Sequence, residues 1–558
     1  MRNRAGLAIG VLAVVAAAAA AAPAALVLPA GARAAAAAVD RGTLEGAVRF
    51  LADDLLEGRA PASRGDEIAC RYIASLMASL GLEPGAPGGR WEQRFEIVGV
   101  TTTDPATWTF RGRGRETTLR FWDEFIAASG VQTPEVALAD AELVFVGYGI
   151  QAPEYAWDDF KGADLKGKVL VMMNNDPDWD PALFAGKRRL YYGRWSYKYE
   201  SAARQGAAGA IIIHTTPSAG YGWQVIQTSW TGEQYELPAA GEPRVKLRGW
   251  TTEDGMRRVV SLGGFDLNAL VKAARSRDFK PVPLGVTTSL KLANALRRSE
   301  TANVLGVIPG RDPVLKDQAV VFSAHHDHFG LGKPDARGDV IYNGAVDDAS
   351  GVAQVLATAK AFAALPERPR RSIVFAFFSC EEYGLLGSAY YAAHPTFPAA
   401  RIAADVNFDT FDAAHIFGRT KSVELIGRGK SSLDGVLEAA AALQGRTVTD
   451  ERFPDRGAFY RADHFSFARI GVPVLHFKNG LDFVGRDPGW GVATTDAWSR
   501  ANYHQPSDEW NPGWNYDGMI DDTQLAFFAG LSVSETDAMP TWVPGDEFAR
   551  LRPAGAAR

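Results

Sequence analysis

Cysteine is nearly absent from this chain: 558 residues hold two, Cys70 and Cys380. Neither their number nor their spacing can build a disulfide framework, so a small cross-braced scaffold is excluded and apolar burial must hold the core. No Lys/Arg run occurs, and a net charge of −6 with a pI near 5.9 offers no basic face for phosphate contacts, which argues against a nucleic-acid partner. Past the first 39 residues there is no internal repeat and no low-complexity tract, which removes solenoid and linker architectures. At 47% hydrophobic and 22% charged, the composition is that of an ordinary globular chain, long enough for about two to four domains.

Acidic residues are missing from the first 39 positions, where Arg2 and Arg4 precede an Ala/Val/Leu-rich stretch with Ala32-Arg33-Ala34 as an Ala-x-Ala option. Residues 1–39 therefore read as a signal peptide, with export to the periplasm or the extracellular space and no stable membrane insertion after cleavage. The apolar stretch exceeds a usual signal core, so an uncleaved N-terminal anchor is the alternative, against which Pro23, Pro29 and Gly31 speak.

The chain does concentrate histidine beside acid. Ala319-Val320-Val321-Phe322 runs without polar alternation into Ser323-Ala324-His325, putting a histidine at the carboxyl end of a buried strand, where ligand sites of α/β sheets lie. Past a Gly-rich loop, Asp347-Asp348 precede apolar residues at Val352, Val355, Leu356, Ala359 and Phe362, a helical spacing with Asp348 as N-cap. Alone, that stretch reads equally as a metal site or as a capped helix behind a surface His-Asp cluster. A second apolar run, Ser372 to Cys380, ends in Glu381-Glu382, a pair costly to bury unpaired though ordinary at a solvated helix start. A third, Ala403 to Phe408, ends in Asp409, and Tyr503-His504-Gln505-Pro506 adds a histidine in a turn-like loop. Ligating side chains recurring at strand ends favour the metal reading.

In order the pieces are H-x-D, DD, EE, D and H. This ordered set resembles the zinc aminopeptidase family that includes bacterial leucyl aminopeptidases and the glutamate carboxypeptidases, over most of the chain beyond the leader. The resemblance implies two co-catalytic zinc ions, with His325, Asp347 and Asp409 on one, Asp347, Glu382 and His504 on the other, and Asp347 bridging. It gives Glu381 the role of general base and makes Asp327, two positions along an extended chain, the partner that orients His325. Asp348 is similar to the residue that follows a cis peptide in relatives, and His326 and His328 are left as loop or rim residues. Cys380 stands where relatives usually carry a small residue and reads as a buried thiol rather than a ligand. Imidazole and carboxylate do suit zinc, and one carboxylate can bridge two cations about 3.5–4 Å apart.

The expected fold is α/β, a mixed and mainly parallel sheet flanked by helices, with an inserted β-rich domain. Helices are expected between Gly42 and Gly85, around a Leu-Glu-Gly-Arg turn that resembles the opening of exported family members. Short β runs at 143–148, 167–172 and 209–214, with a helix before the third, resemble a protease-associated domain at 136–283. The peptidase domain then comprises 40–135 and 284–545, with 546–558 as a tail. Tyr460, Arg461, Asp463 and His464 are pocket candidates, because comparable segments line the pocket in relatives. The function implied is an exported zinc exopeptidase acting on peptide substrates, an aminopeptidase above all. Its rivals are a carboxypeptidase of the same family, a glutaminyl cyclase-like acyltransferase with one zinc, and a non-catalytic receptor-like relative that would have lost ligands.

Overall fold

Three runs with no solvent-facing residue, Ala319–His325, Ser372–Phe378 and Ile402–Asn407, can only be interior strands, and they form the centre of a sheet. The computed structural model describes residues 26–103, 105–410 and 413–552. The central strands pair in parallel, with His325 level with Phe378 and Ser323 level with Asn407, and Asn407 level with His476 of the neighbouring strand Val474–Asn479. Their carboxyl ends therefore coincide, and the residues just beyond them meet along one edge. Antiparallel strands complete the sheet on both sides: Glu92–Thr102 with Glu233–Glu236 on one, and Ser422–Ile426 on the other, itself paired in parallel with Thr447–Asp450.

Helices cover both faces. Gly351–Ala363 is buried almost all round because it lies between the sheet and the helices Arg41–Leu51 and Asp517–Glu535. Phe322, Phe362 and Phe527 interlock there, with ring centroids 5.4 and 4.8 Å apart. Gly530 is obligatory in this layer, since an added Cβ would sit 2.3 Å from the Phe322 ring. The helices expected before Gly85 are Arg41–Leu51 and Arg64–Ser79, and Gly81, at φ 79°, ends the second.

A second sheet is built from Thr107–Gly112, Arg115–Arg120, Phe125–Ser129, Glu135–Phe145, Val169–Met173, Gly209–His214 and Leu247–Thr252. The strand Val282–Ile308 belongs to both sheets, pairing with Glu135–Phe145 up to Ala293 and with Glu92–Thr102 from Asn294. The inserted unit thus starts near Thr107 and ends near Ala293, wider than 136–283. The early strands 107–129 alternate Thr and Arg with apolar residues and carry no composition shift, and no linker marks the exit because one strand crosses it. The tail from 546 also differs from expectation: Lys430 pairs with Asp546 at 2.9 Å, and Phe548 stacks on Phe459 with centroids 5.7 Å apart.

Most of the expected leader lies outside the described residues. Its end does not: Ala32–Ala36 forms a helix whose Ala32, Ala35 and Ala36 are buried, followed by buried Val39. Gln524 donates to the Ala36 carbonyl at 3.1 Å, so the Ala32-Arg33-Ala34 option sits inside a packed element. Among the described residues no helix is long and apolar enough to cross a membrane.

Candidate metal centre

The level strand ends bring the predicted residues into one buried cluster. His325 closes its strand, and its Nδ1 lies 3.1 Å from the Asp327 carbonyl, which can only accept, so that nitrogen carries the proton. Its Nε2 is left facing Asp347 Oδ1 at 3.1 Å. The other oxygen of Asp347 is 3.2 Å from His504 Nε2, which is also 3.3 Å from Glu382 Oε2. Donor atoms of His325, Asp347 and Asp409 all lie within 4.8 Å of one another. Both expected ligand groups therefore converge, and they share Asp347.

The shared carboxylate is held from behind. Asp508 accepts the Val346 and Asp347 backbone N–H groups at 3.0 and 3.1 Å. Asp348, which follows a cis peptide, accepts from the backbone of His325 at 3.2 Å and of Gly351 at 3.0 Å, tying the strand end to the start of the helix it caps. Arg59, from the Leu-Glu-Gly-Arg turn, is fully buried and donates to the carbonyls of His326 and Asn343 at 2.7 Å each, of Gly344 at 3.1 Å and of Leu51.

Electrostatics show what such a cluster requires. Burial, with neighbouring carboxylates, pushes Glu381 and Glu382 well above the usual carboxylate range and Asp409 up to about 7. Burial opposes the charge of Asp347 too, yet hydrogen bonds from His325 and His504 hold it low. Acids packed this closely need cations between them, and a buried set of imidazole and carboxylate donors with one shared member is the donor chemistry of zinc. The residues fit that ion.

Several details depart from the sequence-based expectations. His328 is not at a rim: it is fully buried, and its Nδ1 lies 2.5 Å from Glu382 Oε1 with neither atom making a hydrogen bond. It forms a further donor group with Asp347 and Glu382. The strand stops at His325, so the alternation that would have turned His328 away no longer applies. His326 is buried as well, 2.9 Å from Asp66 Oδ1 and 3.4 Å from Cys70 Sγ, bracing the site against the helix Arg64–Ser79. Asp327 orients His325 through its backbone carbonyl, while its carboxylate, 3.7 Å from that ring, accepts the Glu381 N–H at 3.1 Å. Of the four pocket candidates only Arg461 lines the cavity at the centre; Tyr460 donates to Glu547 at 2.6 Å and His464 stacks on His476. Cys380 is buried against Phe95, Ile97 and Tyr235.

Distance along the chain hid another contributor. The inserted unit reaches the centre, and Ser229 Oγ lies 2.8 Å from His504 Nδ1. When that nitrogen donates to Ser229, Nε2 is free to ligate. Ser229→Ala should weaken metal retention about 10–100-fold in a chelator competition, with Ser229→Thr recovering part of it. Unchanged retention in the alanine variant would show that the contact does not position the ring.

A mixed α/β sheet whose parallel strands end in a buried histidine and carboxylate cluster with a shared aspartate is a scaffold fitted to hold metal ions. Residues 303–528 match the family described as peptidase family M28. It is 34% identical over 113 residues to Aminopeptidase NAALADL1 of Rattus norvegicus, covering 20% of this chain and 13% of the relative. It is 26% identical over 210 residues to Leupeptin-inactivating enzyme 1 of Streptomyces exfoliatus, covering 37% and 42%. The chain thus spans less than half the length of these curated relatives. The aminopeptidase from Aneurinibacillus sp. strain AM-1 shares the fold, with a TM-score of 0.53 and 21% identity over 89% of this chain and 95% of that one.

Proposed function

We propose that this protein is an exported zinc-dependent exopeptidase, an aminopeptidase that removes residues from the amino end of peptides. The observation that carries the reading is the sharing of Asp347 between two donor groups, one with His325 and Asp409, the other with Glu382 and His504; Glu381 lies beside them, in a further donor group with His325 and Glu382. Zinc ions held there would polarise the scissile carbonyl and acidify the attacking water. Glu381, buried with its Oε2 3.9 Å from His325 Nε2, accepts that proton and returns it to the leaving amine. Asp327 fixes the backbone of Glu381, and Ser229 fixes the ring of His504. The inserted unit, read as a protease-associated domain, walls the mouth of the centre with Arg194, Trp195 and Tyr221. Export rests on the apolar leader.

A substrate's free amine is favoured by the negative potential of Asp347, Glu381, Glu382 and Asp409. Arg461 in the same cavity favours a second reading, a carboxypeptidase, since a guanidinium is the preferred partner of a terminal carboxylate. Two measurements decide. Metal analysis of the purified chain should find close to two zinc ions; one tightly bound ion with full activity would favour the cyclase reading. N-acetylation of a dipeptide should abolish its turnover, and rapid cleavage of the acetylated form would favour the carboxypeptidase.

A further inference from the structure

The inserted unit carries a cavity of its own. Its strands Val169–Met173, Gly209–His214 and Leu247–Thr252 run parallel, with Met173 level with Ile213 and His214 level with Thr252. Ligand sites in α/β sheets lie just outside such level carboxyl ends. There, Asn174, Thr215 and Glu253 open onto a cavity of about 290 Å³, near the lower end of the range for small-molecule sites. None of its lining residues lines the cavities that hold Glu381 and Glu382. Its floor is apolar, from Met173, Ile213, Leu267 and Val271, and Asp455 reaches it from the peptidase unit.

Two buried side chains point to an occupant. Asn174 is 4% exposed, yet its amide lines the cavity and makes no hydrogen bond among the described residues, a cost that a bound partner removes. Arg189 is 7% exposed; its Nη1 donates to the Ser218 carbonyl, while its Nε and Nη2 have no partner among the described residues. Arg59 and Arg371 are buried without an ion pair too, but carbonyl oxygens take up all of their guanidinium nitrogens. Burial lowers Arg189 to about 10, with Asp176 opposing, so it stays cationic at neutral pH. Its backbone N–H is bonded to the Pro454 carbonyl at 2.9 Å, which brings Asp455 close enough to act on that charge. Asp178 and Asp455 stand exposed at the rim with no ion pair among the described residues, whereas Glu253 is taken by Arg257 at 2.8 Å.

A guanidinium at depth, acids at the rim and an apolar floor describe an occupant with one carboxylate, one amine and an apolar body. We propose that this cavity binds a free α-amino acid with an aliphatic side chain. Its carboxylate meets the open N–H groups of Arg189 and the Asn174 amide, its side chain lies on the floor, and its amine faces Asp178 and Asp455. The amine thus sits between an acid of the inserted unit and one of the peptidase unit. The site stands apart from the metal centre and does not depend on the reaction proposed there; for an aminopeptidase its ligand is of the class that the reaction releases.

The test uses the zinc-loaded full chain with acetohydroxamate saturating the metal centre, so that leucine cannot bind there as a product. Calorimetry should show one leucine bound per chain. Isocaproate, which lacks the amine, and isopentylamine, which lacks the carboxylate, should each bind about 10–100-fold more weakly. Asn268 lies exposed on the helix Leu267–Ala274 at the edge of the cavity, so Asn268→Trp fills the space without entering the core. That variant should lose leucine binding while its kcat/KM for a free dipeptide, measured without leucine, stays at the wild-type value. No leucine binding to the blocked wild-type protein, equal binding of either analogue, or unchanged leucine binding in Asn268→Trp would each overturn the proposal. Leucine binding without hydrolysis of free dipeptides would leave the site standing and overturn the aminopeptidase reading, and hydrolysis without leucine binding would do the reverse.

Discussion

Replacing Glu381 by Gln should lower kcat by about 10²–10⁴ and leave the zinc content unchanged, whereas Glu382→Gln should lose zinc. The two glutamates are neighbours in sequence and the same residue type, so composition cannot separate them. Their contacts can. Glu382 lies 3.3 Å from His504 and against His328, inside the donor groups, and its amide would be a poor ligand there. Glu381 lies 3.9 Å from His325 with its N–H held by Asp327, so Gln would keep the shape and the backbone anchor while losing only the ability to take a proton. Metal analysis beside steady-state kinetics on the two variants separates the roles. The reverse pattern, zinc lost with Glu381→Gln and retained with Glu382→Gln, would refute this division of labour.

Arg59→Met should be the most damaging substitution outside the donor set, with a loss of about 3–5 kcal/mol of stability, the usual cost of removing one member of a buried charge network. Its guanidinium serves the carbonyls of His326, Asn343, Gly344 and Leu51, all of which would be left buried without that donor. It is also a fixed cation near Asp327, Asp508, Asp348 and Asp347, so its removal concentrates like charge. Against a typical total of ~5–15 kcal/mol, most of the folded population is at risk. Lysine would keep the charge but has no planar fork to reach carbonyls on both sides, so Arg59→Lys should recover only part of the loss. Thermal unfolding of the chelator-treated protein reads this without contribution from bound zinc. A midpoint within about 2 °C of wild type for Arg59→Met would mean that the network is dispensable.

Much of the centre could be read from order along the chain. Strands buried on both faces announce themselves as unbroken apolar runs, so His325, Glu381, Glu382 and Asp409 could be placed at or just past strand ends from the sequence, while their grouping came from the family resemblance. The Asp347-Asp348 pair and the helix after it followed in the same way, from spacing and capping. Local patterning of this kind depends on which side chains avoid water, and that is a property of the residues themselves.

Tertiary structure alone decided the rest. His328 became a member of the cluster because the chain leaves strand geometry at His326, where alternation ceases to say which way a side chain points. The Leu-Glu-Gly-Arg turn resembled the opening of exported family members and fitted a plain helical hairpin equally well, but neither reading shows that Arg59, at φ 53°, is delivered beneath the Asp347 loop, 267 positions from the carbonyl it serves. Ser229 meets His504 across 275 residues. The inserted unit could be seen as β runs, but not its true extent, since Val282–Ile308 passes through both sheets without a break. Contacts of that range carry no local periodicity, because they depend on how two finished sheets are joined. The sequence by itself therefore determined the sheet and the histidine and carboxylate side chains at its edge, while packing between distant segments determined which partners orient those side chains.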